Sequence, residues 1–433
     1  MKNLYLITLL LAVHSLSYSQ TFQKRCGTYD VMQQREQQNP GYLNQVNAAF
    51  EYAKQIAEAN KANRALGDTT YRIQVVFHVV YTTAAENIAD SNIFSQIEVL
   101  NEDYRRLNAD TFKTRDVFKP VAGDAHIEFY LATTDPDGNP TNGITRTQGT
   151  PGILGFNPFQ DNVKLAAEGK AAWPTDRYLN IWVCNILNGL GVLGYAFPPD
   201  NAPNWPTGSA TDSASQGVVL HYPCVGRIFP QPIDATVAGG RSATHEIGHY
   251  LGLRHIWGDT TGCNKQDGDG ISDTPKHADA HQQTCDTTDN SCVDAPVDYP
   301  DMIENFMDYS DDRCLNMFTQ EQISIMHAML QTSRKGIAQV VVETGIAQTA
   351  QDFGNVYLYP NPTTGIVQFS AYLKNGKDYS YEVLNAMGQR ITAEGSVSQL
   401  TKVLDLSAQP SGIYFIRFTA GNNSLVRKFQ ITR

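Results

Sequence analysis

One short stretch, HEIGHYLGLRH, holds residues whose types and spacing can do chemistry. On a helix, His245 and His249 lie four residues apart, so both imidazoles leave the same face and can bind one ion. Gly252 can adopt the left-handed conformation that ends a helix, which lets His255 approach the same ion from another side. Three neutral imidazoles with an open fourth position are typical of a catalytic zinc. Glu246, next to the first ligand, is positioned to take a proton from water during hydrolysis.

The alternative interpretation of this stretch is an amphipathic helix whose histidines pack in the core. HExxH alone is a modest signal, whereas the glycine and the third histidine at fixed distances make it a strong one. We therefore expect His245, His249 and His255 to bind one Zn²⁺. Glu246 is then expected to be the general base that later returns the proton to the leaving amine.

The composition is that of an ordinary globular protein. The chain has 433 residues, of which 41% are hydrophobic and 18% charged, and this length allows two or three domains with a sizeable core. A net charge of −11 argues against nucleic acid or an anionic membrane surface as the main partner.

The N-terminus predicts export. Lys2 precedes an apolar run over residues 4–13, and small residues follow, which is the pattern of a secretory signal peptide over residues 1–19. The run is too short to span a bilayer, and the alternative is a buried N-terminal helix. No other stretch reaches transmembrane length. We expect a secreted protein whose seven cysteines form disulfides with one thiol left over.

The middle of the chain predicts a mixed α/β domain. Residues 20–66 are polar, helical from about residue 45, and lack a core of their own. A near-continuous apolar run at residues 73–81 is typical of a strand covered on both faces, and Ser91 is expected to cap the next helix. With the zinc helix beneath the sheet, this order gives an α/β (α+β) fold with a twisted mixed sheet. Further strands are expected at residues 127–132, 178–186 and 217–222.

The loop after the zinc stretch holds closely spaced oxygen ligands. Asp267, Asp269, Asp273 and Thr274 favour Ca²⁺ as a structural cofactor, and the alternative is a solvated acidic turn. The loop is not an EF-hand, because the twelfth position from Asp267 is Ala278.

The pattern changes again toward the C-terminus. Thr319 opens a capping box, which predicts a helix to about residue 333. Residues 336–355 carry no clear pattern and indicate a linker. About five short β runs separated by turns over residues 356–433 predict a small all-β sandwich as a separate domain.

Two motifs together resemble the metzincin metalloproteases. ENFMDYS follows the zinc stretch at residues 304–310, and Met307 matches the methionine of the turn that forms a hydrophobic floor under the metal in that clan. Tyr309 and the motif HIWGD at residues 255–259 resemble the pappalysin family and its small bacterial members. The resemblance covers residues 71–335.

The resemblance implies roles for residues near the substrate. Tyr309 is expected to hydrogen-bond the tetrahedral oxyanion, and the alternative is a tyrosine that only packs. Small family members often prefer Arg or Lys just after the scissile bond, at P1′, through an acidic S1′ residue. Asp311 and Asp312 are the candidates here, although the neighbouring Arg313 argues against a basic preference.

The resemblance also implies latency. Cys26 lies in an Arg-Cys-Gly segment that is similar to the cysteine switch of this family, in which a thiolate occupies the open zinc position. Removal of the pro-segment after a basic residue near Arg64 would then activate the enzyme. The alternatives for Cys26 are a disulfide with Cys184 or Cys224 and an idle thiol.

Four cysteines cluster in the loops after the zinc helix. The family's crossed pattern implies that Cys263 pairs with Cys292 and that Cys285 pairs with Cys314. The sequence alone leaves the connectivity open.

The C-terminal domain resembles the type A sorting domain of the type IX secretion system of Bacteroidetes, from LYPNPTTG at residues 358–365 to Lys428 and Phe429. The resemblance implies secretion machinery as a partner and passage through the periplasm of a Gram-negative bacterium. The alternative is a carbohydrate-binding or adhesive sandwich.

The sequence therefore predicts a secreted zinc endopeptidase that is made as a latent zymogen and acts on proteins or peptides. The competing hypothesis is a zinc-containing surface adhesin with an inactive protease fold, which should lack a base at Glu246. The expected segments are a signal peptide at 1–19, a pro-segment at 20–66, a catalytic domain at 67–335, a linker at 336–355 and a sorting domain at 356–433.

Overall fold

The computed structural model describes most of the chain. The predicted signal peptide, Arg64 and Asp267 lie outside the described residues. The described ranges are 26–62, 69–150, 155–187, 191–200, 216–227, 235–263, 268–342, 353–359, 361–373, 379–397, 401–421 and 423–432.

A mixed sheet forms the framework of the catalytic region, and within the described ranges it has seven strands. The long strand β1 is central: it pairs in parallel with β3, β4 and β5 and antiparallel with β9. β7 follows β5 in parallel, and β6 closes the edge antiparallel to β7. The strands of this sheet are β1 Thr69–Tyr81, β3 Ile127–Leu131, β4 Ile144–Gln148, β5 Leu179–Cys184, β6 Gly194–Ala196, β7 Val218–His221 and β9 Ala338–Val342. The same region also contains β2 Ala122–Gly123 and β8 Phe318–Thr319, which pair with each other.

The main core lies between this sheet and the helices packed against it. Alternate residues of β1, such as Val75 and Phe77, pack with Leu100 and Ile247 in one cluster of fully buried side chains. The predicted α/β (α+β) fold is thereby confirmed. The helices are α1 Thr28–Gln38, α2 Tyr42–Ala62, α3 Asp90–Tyr104, α4 Arg241–Tyr250 and α5 Gln320–Gln331.

The structure differs from the predictions at two helices. Ala89, in an extended conformation, is the N-cap of α3, so Ser91 lies inside the first turn and is not the cap. The helix α1 escaped prediction because its sequence is rich in Gln and Glu and buries only Thr28 and Val31, which leaves no apolar periodicity to find. The capping box of Thr319 and Gln322 at the start of α5 is present as predicted.

The pro-segment shares the core of the catalytic region. On α2, Phe50, Ala53 and Ala57 are buried in the same cluster as the central strands. The guanidinium of Arg254 lies 3.9 Å from the ring centroid of Phe50. This agrees with a segment that has no independent core.

The predicted linker is shorter than residues 336–355. Residues 338–342 form β9, which extends the sheet beside the start of β1, and the C-terminal sandwich already begins at Phe353. The prediction was wrong here because β9 is held by backbone pairing, while Val340 on it is 57% exposed. A strand of this kind shows no alternating apolar pattern.

The C-terminal unit is an all-β sandwich, as predicted, with two strands more than the expected five among its described residues. One sheet has the order β10-β11-β14 and the other β13-β12-β15-β16. No helix in the described part of the chain has the length and apolar character needed to cross a membrane. The strands are β10 Phe353–Tyr359, β11 Ile366–Leu373, β12 Tyr379–Asn385, β13 Arg390–Val397, β14 Thr401–Asp405, β15 Gly412–Ala420 and β16 Asn423–Ile431.

Candidate metal centre

The helix α4 and the turn after it position three histidines. His245 and His249 lie on one face of α4, which ends at Tyr250. Gly252 has a φ of +92°, and a Cβ at this position would lie 2.5 Å from the Met329 side chain, so only glycine fits. The chain turns back there and brings His255 to the first two histidines, as the spacing predicts.

The three imidazoles converge through their Nε2 atoms. His249 Nε2 lies 3.1 Å from His245 Nε2 and 3.0 Å from His255 Nε2. Each Nδ1 faces an acceptor, which fixes the tautomer and directs a Nε2 lone pair to a common point. The acceptors are the Phe306 carbonyl for His245, the Leu253 carbonyl for His249 and the Asp259 carboxylate for His255.

Three lone pairs that meet in a buried site repel each other unless a cation lies between them. Burial, followed by the nearby His255, lowers the pKa of His249 to about 3, so this ring is neutral and able to bind a metal. The donor set of three neutral imidazoles fits Zn²⁺. His255 is also stacked on Trp257, with ring centroids 4.3 Å apart.

Cys26 reaches the same point from the pro-segment. Its Sγ and one nitrogen of each of the three histidines all lie within 4.8 Å of one another, and all four residues are buried. The Gly27 N–H donates to the Gly194 carbonyl at 2.8 Å, so the pro-segment runs parallel to the edge strand β6. Four potential ligands therefore meet at one position.

Glu246 lies in contact with the pro-segment. The Thr28 hydroxyl donates to Glu246 Oε2 at 3.0 Å, and the Cys26 thiol donates to the same oxygen at 3.3 Å. Burial raises the pKa of Glu246 to about 8, although these two hydrogen bonds act in the opposite direction. Sequence reasoning missed Thr28, because nothing in the local pattern indicates a contact with a residue 218 positions away.

Tyr309 and Met307 surround the histidines. The Tyr309 hydroxyl donates to the Cys26 carbonyl at 3.2 Å, and its ring centroid lies 5.0 Å from that of His255. A Cβ on Gly248 would lie 2.4 Å from Met307 Sδ, so this glycine lets the methionine pack closely against α4. A glycine inside a helix is the sequence signal that could have indicated such a close approach.

The chain resembles known proteins over both of its parts. Residues 164–331 match the family model described as pregnancy-associated plasma protein-A, and residues 357–432 match the secretion system C-terminal sorting domain. An extracellular metalloprotease of Coccidioides posadasii is 30% identical over 292 residues, which are 66% of this chain and 87% of that protein. One of Arthroderma gypseum is 27% identical over 321 residues, 74% of this chain and 88% of that protein.

Solved structures give the same result. Mature mirolysin of Tannerella forsythia in complex with a cleaved peptide is 42% identical, with a TM-score of 0.54, and covers 62% of this chain and 95% of its own. A promirolysin mutant of the same organism is 36% identical, with a TM-score of 0.60, and covers 72% and 97%. The chain belongs to the pappalysin family of metalloproteases. It is therefore a zinc metalloendopeptidase with a C-terminal secretion sorting domain.

Of the two specificity candidates, one lies at the metal centre of this pappalysin. Asp312 lines a narrow cavity beside His245 and Glu246, whereas Asp311 does not line it. Asp311 is fully buried and its carboxylate binds the Arg313 guanidinium, with contacts of 2.9 and 3.0 Å from Nε.

Asp312 also supports the active-site helix. Its Oδ2 accepts the backbone N–H of Gly239 at 3.0 Å and of Arg241 at 3.4 Å, at the start of α4. The Arg241 side chain lines the same cavity, but Asp110 binds its guanidinium at 2.7 and 2.8 Å and Asp103 lies 3.4 Å away. Asp103 and Asp110, neither of which lines the cavity, thus compensate the charge of Arg241.

Two disulfides staple the loops after α4. Cys263 is bonded to Cys292 and Cys285 to Cys314, which is the pairing that the family resemblance implies. The expectation of one leftover thiol was wrong, because Cys26, Cys184 and Cys224 are all buried and lie outside these disulfides.

Two aspartates of the acidic loop, Asp269 and Asp273, make different contacts. Asp269 is buried, and its Oδ1 accepts the Thr274 hydroxyl at 2.8 Å, while its buried Oδ2 has no hydrogen-bond partner. Burial raises the pKa of Asp269 to about 8. Asp273 instead faces α5, where it accepts the Thr319 hydroxyl at 2.6 Å and the Glu321 N–H at 3.0 Å.

Proposed function

We propose that this pappalysin is exported as a latent zymogen in which Cys26 is the fourth ligand of the zinc site. The position of its thiol among the three histidine nitrogens is the observation that carries the proposal. Without a metal, burial and the Glu246 charge raise the pKa of the Cys26 thiol well above its usual value. A bound zinc reverses this tendency, because a coordinating thiol is deprotonated.

The latent form blocks more than the metal. The Thr28 hydroxyl and the Cys26 thiol both bind the Glu246 carboxylate, so the proposed base is occupied. The Tyr309 hydroxyl is occupied too, because it donates to the Cys26 carbonyl. In this state a pro-segment carbonyl takes the position expected for the carbonyl of a substrate.

In the active form we assign each freed group one role. His245, His249 and His255 would hold the zinc, which would supply polarisation of the scissile carbonyl and of the attacking water. Glu246 accepts the proton of this water and passes it to the leaving amine nitrogen. The Tyr309 hydroxyl donates to the oxyanion, and Met307 supports the site from below.

A preference for Arg or Lys at P1′ is proposed to depend on Asp312. The carboxylate lies at the cavity next to His245 and Glu246, and the only cation that lines this cavity among the described residues, Arg241, is neutralised by Asp103 and Asp110. The negative charge of Asp312 beside the cavity therefore favours a cationic side chain at P1′ of the substrate.

Calcium is proposed as a structural cofactor of the loop around residues 268–274. A buried Asp269 oxygen without a partner is costly, and a divalent cation would compensate it. The Thr274 hydroxyl, 2.8 Å from Asp269 Oδ1, is the nearby oxygen donor from the same loop, whereas the Asp273 carboxylate faces α5.

The sorting domain is proposed to direct the protein through a Gram-negative periplasm to the cell surface or the medium. The match at residues 357–432 supports a role with secretion machinery. The segment assignments are a signal peptide at 1–19, a pro-segment at 20–66 that is cleaved near Arg64, and a sorting domain that begins near Phe353. The extracellular relatives support this location.

Glu246→Ala should reduce peptide cleavage by the pro-segment-free enzyme at least about 100-fold, because no proton acceptor remains at that position. Hydrolysis of a fluorogenic peptide and zinc content per chain would be measured together. The variant should keep one zinc, because the three histidines are unchanged. Equal activity of variant and wild type, or a zinc-loaded wild type that cleaves nothing, would contradict the proposed mechanism.

Cys26→Ala should give a zymogen that is active or autolysed during expression, because the fourth position and Glu246 are both released. Cys184→Ala is the matched control, since it also removes a buried thiol but lies away from the metal. Intact, inactive Cys26→Ala protein after purification would reject the switch.

Asp312→Asn should lower the kcat/KM ratio for Arg over Leu at P1′ roughly tenfold, which corresponds to about 1.4 kcal/mol. Asparagine keeps an oxygen that can accept the N–H groups of α4, so the helix start is preserved. Asp311→Asn is the control, because Arg313 binds that carboxylate outside the cavity. A peptide library without Arg or Lys enrichment would reject the preference.

Addition of Ca²⁺ to zinc-reconstituted, calcium-free protein should raise the Tm by several degrees, because the ion binds only the folded loop. The rise should be absent in Asp269→Asn and should not occur with Mg²⁺. A Tm that is independent of Ca²⁺ in the wild type would exclude the calcium site.

A further inference from the structure

A second cluster of histidines and carboxylates lies beside the metal centre. His277, His281 and Asp308 are buried, and one potential ligand atom of each lies within 4.8 Å of the other two. Asp308 directly precedes Tyr309, so this cluster adjoins the proposed oxyanion donor. The proposed function does not use these histidines.

The hydrogen bonds argue against a second metal. In the zinc cluster each histidine donates through Nδ1 and keeps the Nε2 lone pair for the ion. His277 Nε2 instead accepts the backbone N–H of Met302 at 2.8 Å. A neutral imidazole that accepts through Nε2 carries its proton on Nδ1, so His277 has no lone pair left for an ion.

His281 has carboxylates at both ring nitrogens. Nδ1 lies 3.0 Å from Asp308 Oδ2, and Nε2 lies 3.2 Å from Asp301 Oδ2 and 3.4 Å from Asp289 Oδ2. A neutral ring would leave a nitrogen lone pair facing a carboxylate on one side. The imidazolium fits the three carboxylates, because it donates through Nδ1 to Asp308 and its positive charge faces Asp301 and Asp289 on the Nε2 side.

The electrostatics agree with this geometry. Burial opposes the charge on His281, but the hydrogen bonds and charges of Asp301 and Asp308 outweigh burial and raise its pKa to about 10. Burial likewise raises the pKa of Asp301, yet His281 and Ser291 bring it down to about 2. For Asp308, too, the contact with His281 outweighs burial and lowers the pKa.

The segment that carries His281 is tied to the backbone around Tyr309. The His281 N–H donates to Asp308 Oδ1 at 3.3 Å, and the Gln283 N–H donates to the Tyr309 carbonyl at 2.9 Å. Further along, the disulfide between Cys285 and Cys314 joins the same two segments. The backbone at Tyr309 is therefore held by the contact between His281 and Asp308 on one side and by the disulfide between Cys285 and Cys314 on the other.

We propose that His281 is a positioning residue whose imidazolium takes the place of a bound cation among Asp289, Asp301 and Asp308. Its charge holds Asp308, and with it the backbone that presents the Tyr309 hydroxyl to the substrate. The inference rests on the proposed role of Tyr309 and adds the residue that fixes its location.

The proposal has a defined pH dependence. The pKa of His281 is raised on folding, so the stabilisation is complete below the usual histidine value of about 6.5 and is lost as the pH rises toward about 10. The groups that face His281 are Asp289, Asp301 and Asp308, with the neutral His277 ring at a centroid distance of 5.4 Å.

His281→Gln in the pro-segment-free enzyme should lower kcat roughly tenfold, with KM changed less than about threefold, because an oxyanion donor acts on the transition state. His281→Lys should recover part of kcat, because it restores a positive charge. His277→Gln is the matched control: it also replaces a buried histidine, keeps an acceptor for the Met302 N–H and removes no charge. An equal loss of kcat in both glutamine variants would overturn the proposal.

The dependence on Tyr309 is tested in a double variant. In Tyr309→Phe enzyme, His281→Gln should cause no further loss of kcat, because the hydroxyl that it positions is gone. If Tyr309→Phe alone leaves kcat unchanged, the proposed role of Tyr309 fails, and the link from His281 to catalysis fails with it. An additive loss would overturn only the link between the two residues.

The charge state can be measured without any substitution. In wild-type enzyme with isotope-labelled histidine, NMR should show His281 as an imidazolium at pH 8, and the signal should be assigned by its loss in His281→Gln. Titration of this signal near pH 6.5 would contradict the proposal. So would a second equivalent of zinc per chain that disappears in His281→Gln.

Discussion

The metal centre depends on a cation that offsets the repulsion among three histidine lone pairs directed at one point. The Nδ1 atoms of His245, His249 and His255 are each fixed by a buried or partly buried acceptor, so the rings cannot turn away from one another. The fold accepts this arrangement only because a cation compensates it. Gly252 and Gly248 serve the same constraint, since the first turns the chain and the second admits Met307 close against α4.

The pro-segment uses the groups that the reaction needs. Its thiol lies at the histidines, its Thr28 hydroxyl binds Glu246, and its Cys26 carbonyl accepts the Tyr309 hydroxyl. The proposed latency needs only short-range contacts at the metal site, because α2 provides the anchoring by burying Phe50 in the main core. Blocking and anchoring are thus carried out by different parts of the pro-segment.

Two neighbouring clusters neutralise buried charge in different ways. At the first, neutral imidazoles leave lone pairs for a metal. At the second, His281 is surrounded by carboxylates and itself carries the positive charge. The environment of the second ring nitrogen decides between the two. For His249 and His255 it comes from nearby Leu253 and Asp259, whereas for His281 it comes from carboxylates distant in the sequence.

The sequence by itself predicted the three histidines that the structure brings together, the capping box at Thr319 and the two-part organisation, because these depend on spacing within one helix, turn or strand run. Only the tertiary structure decided that β9 joins the sheet and that Asp312 rather than Asp311 lines the cavity. It also brought Thr28 to Glu246 and carboxylates to both sides of His281. These contacts join segments that lie apart along the chain, and their partners are chosen by packing and backbone pairing, which local periodicity does not record.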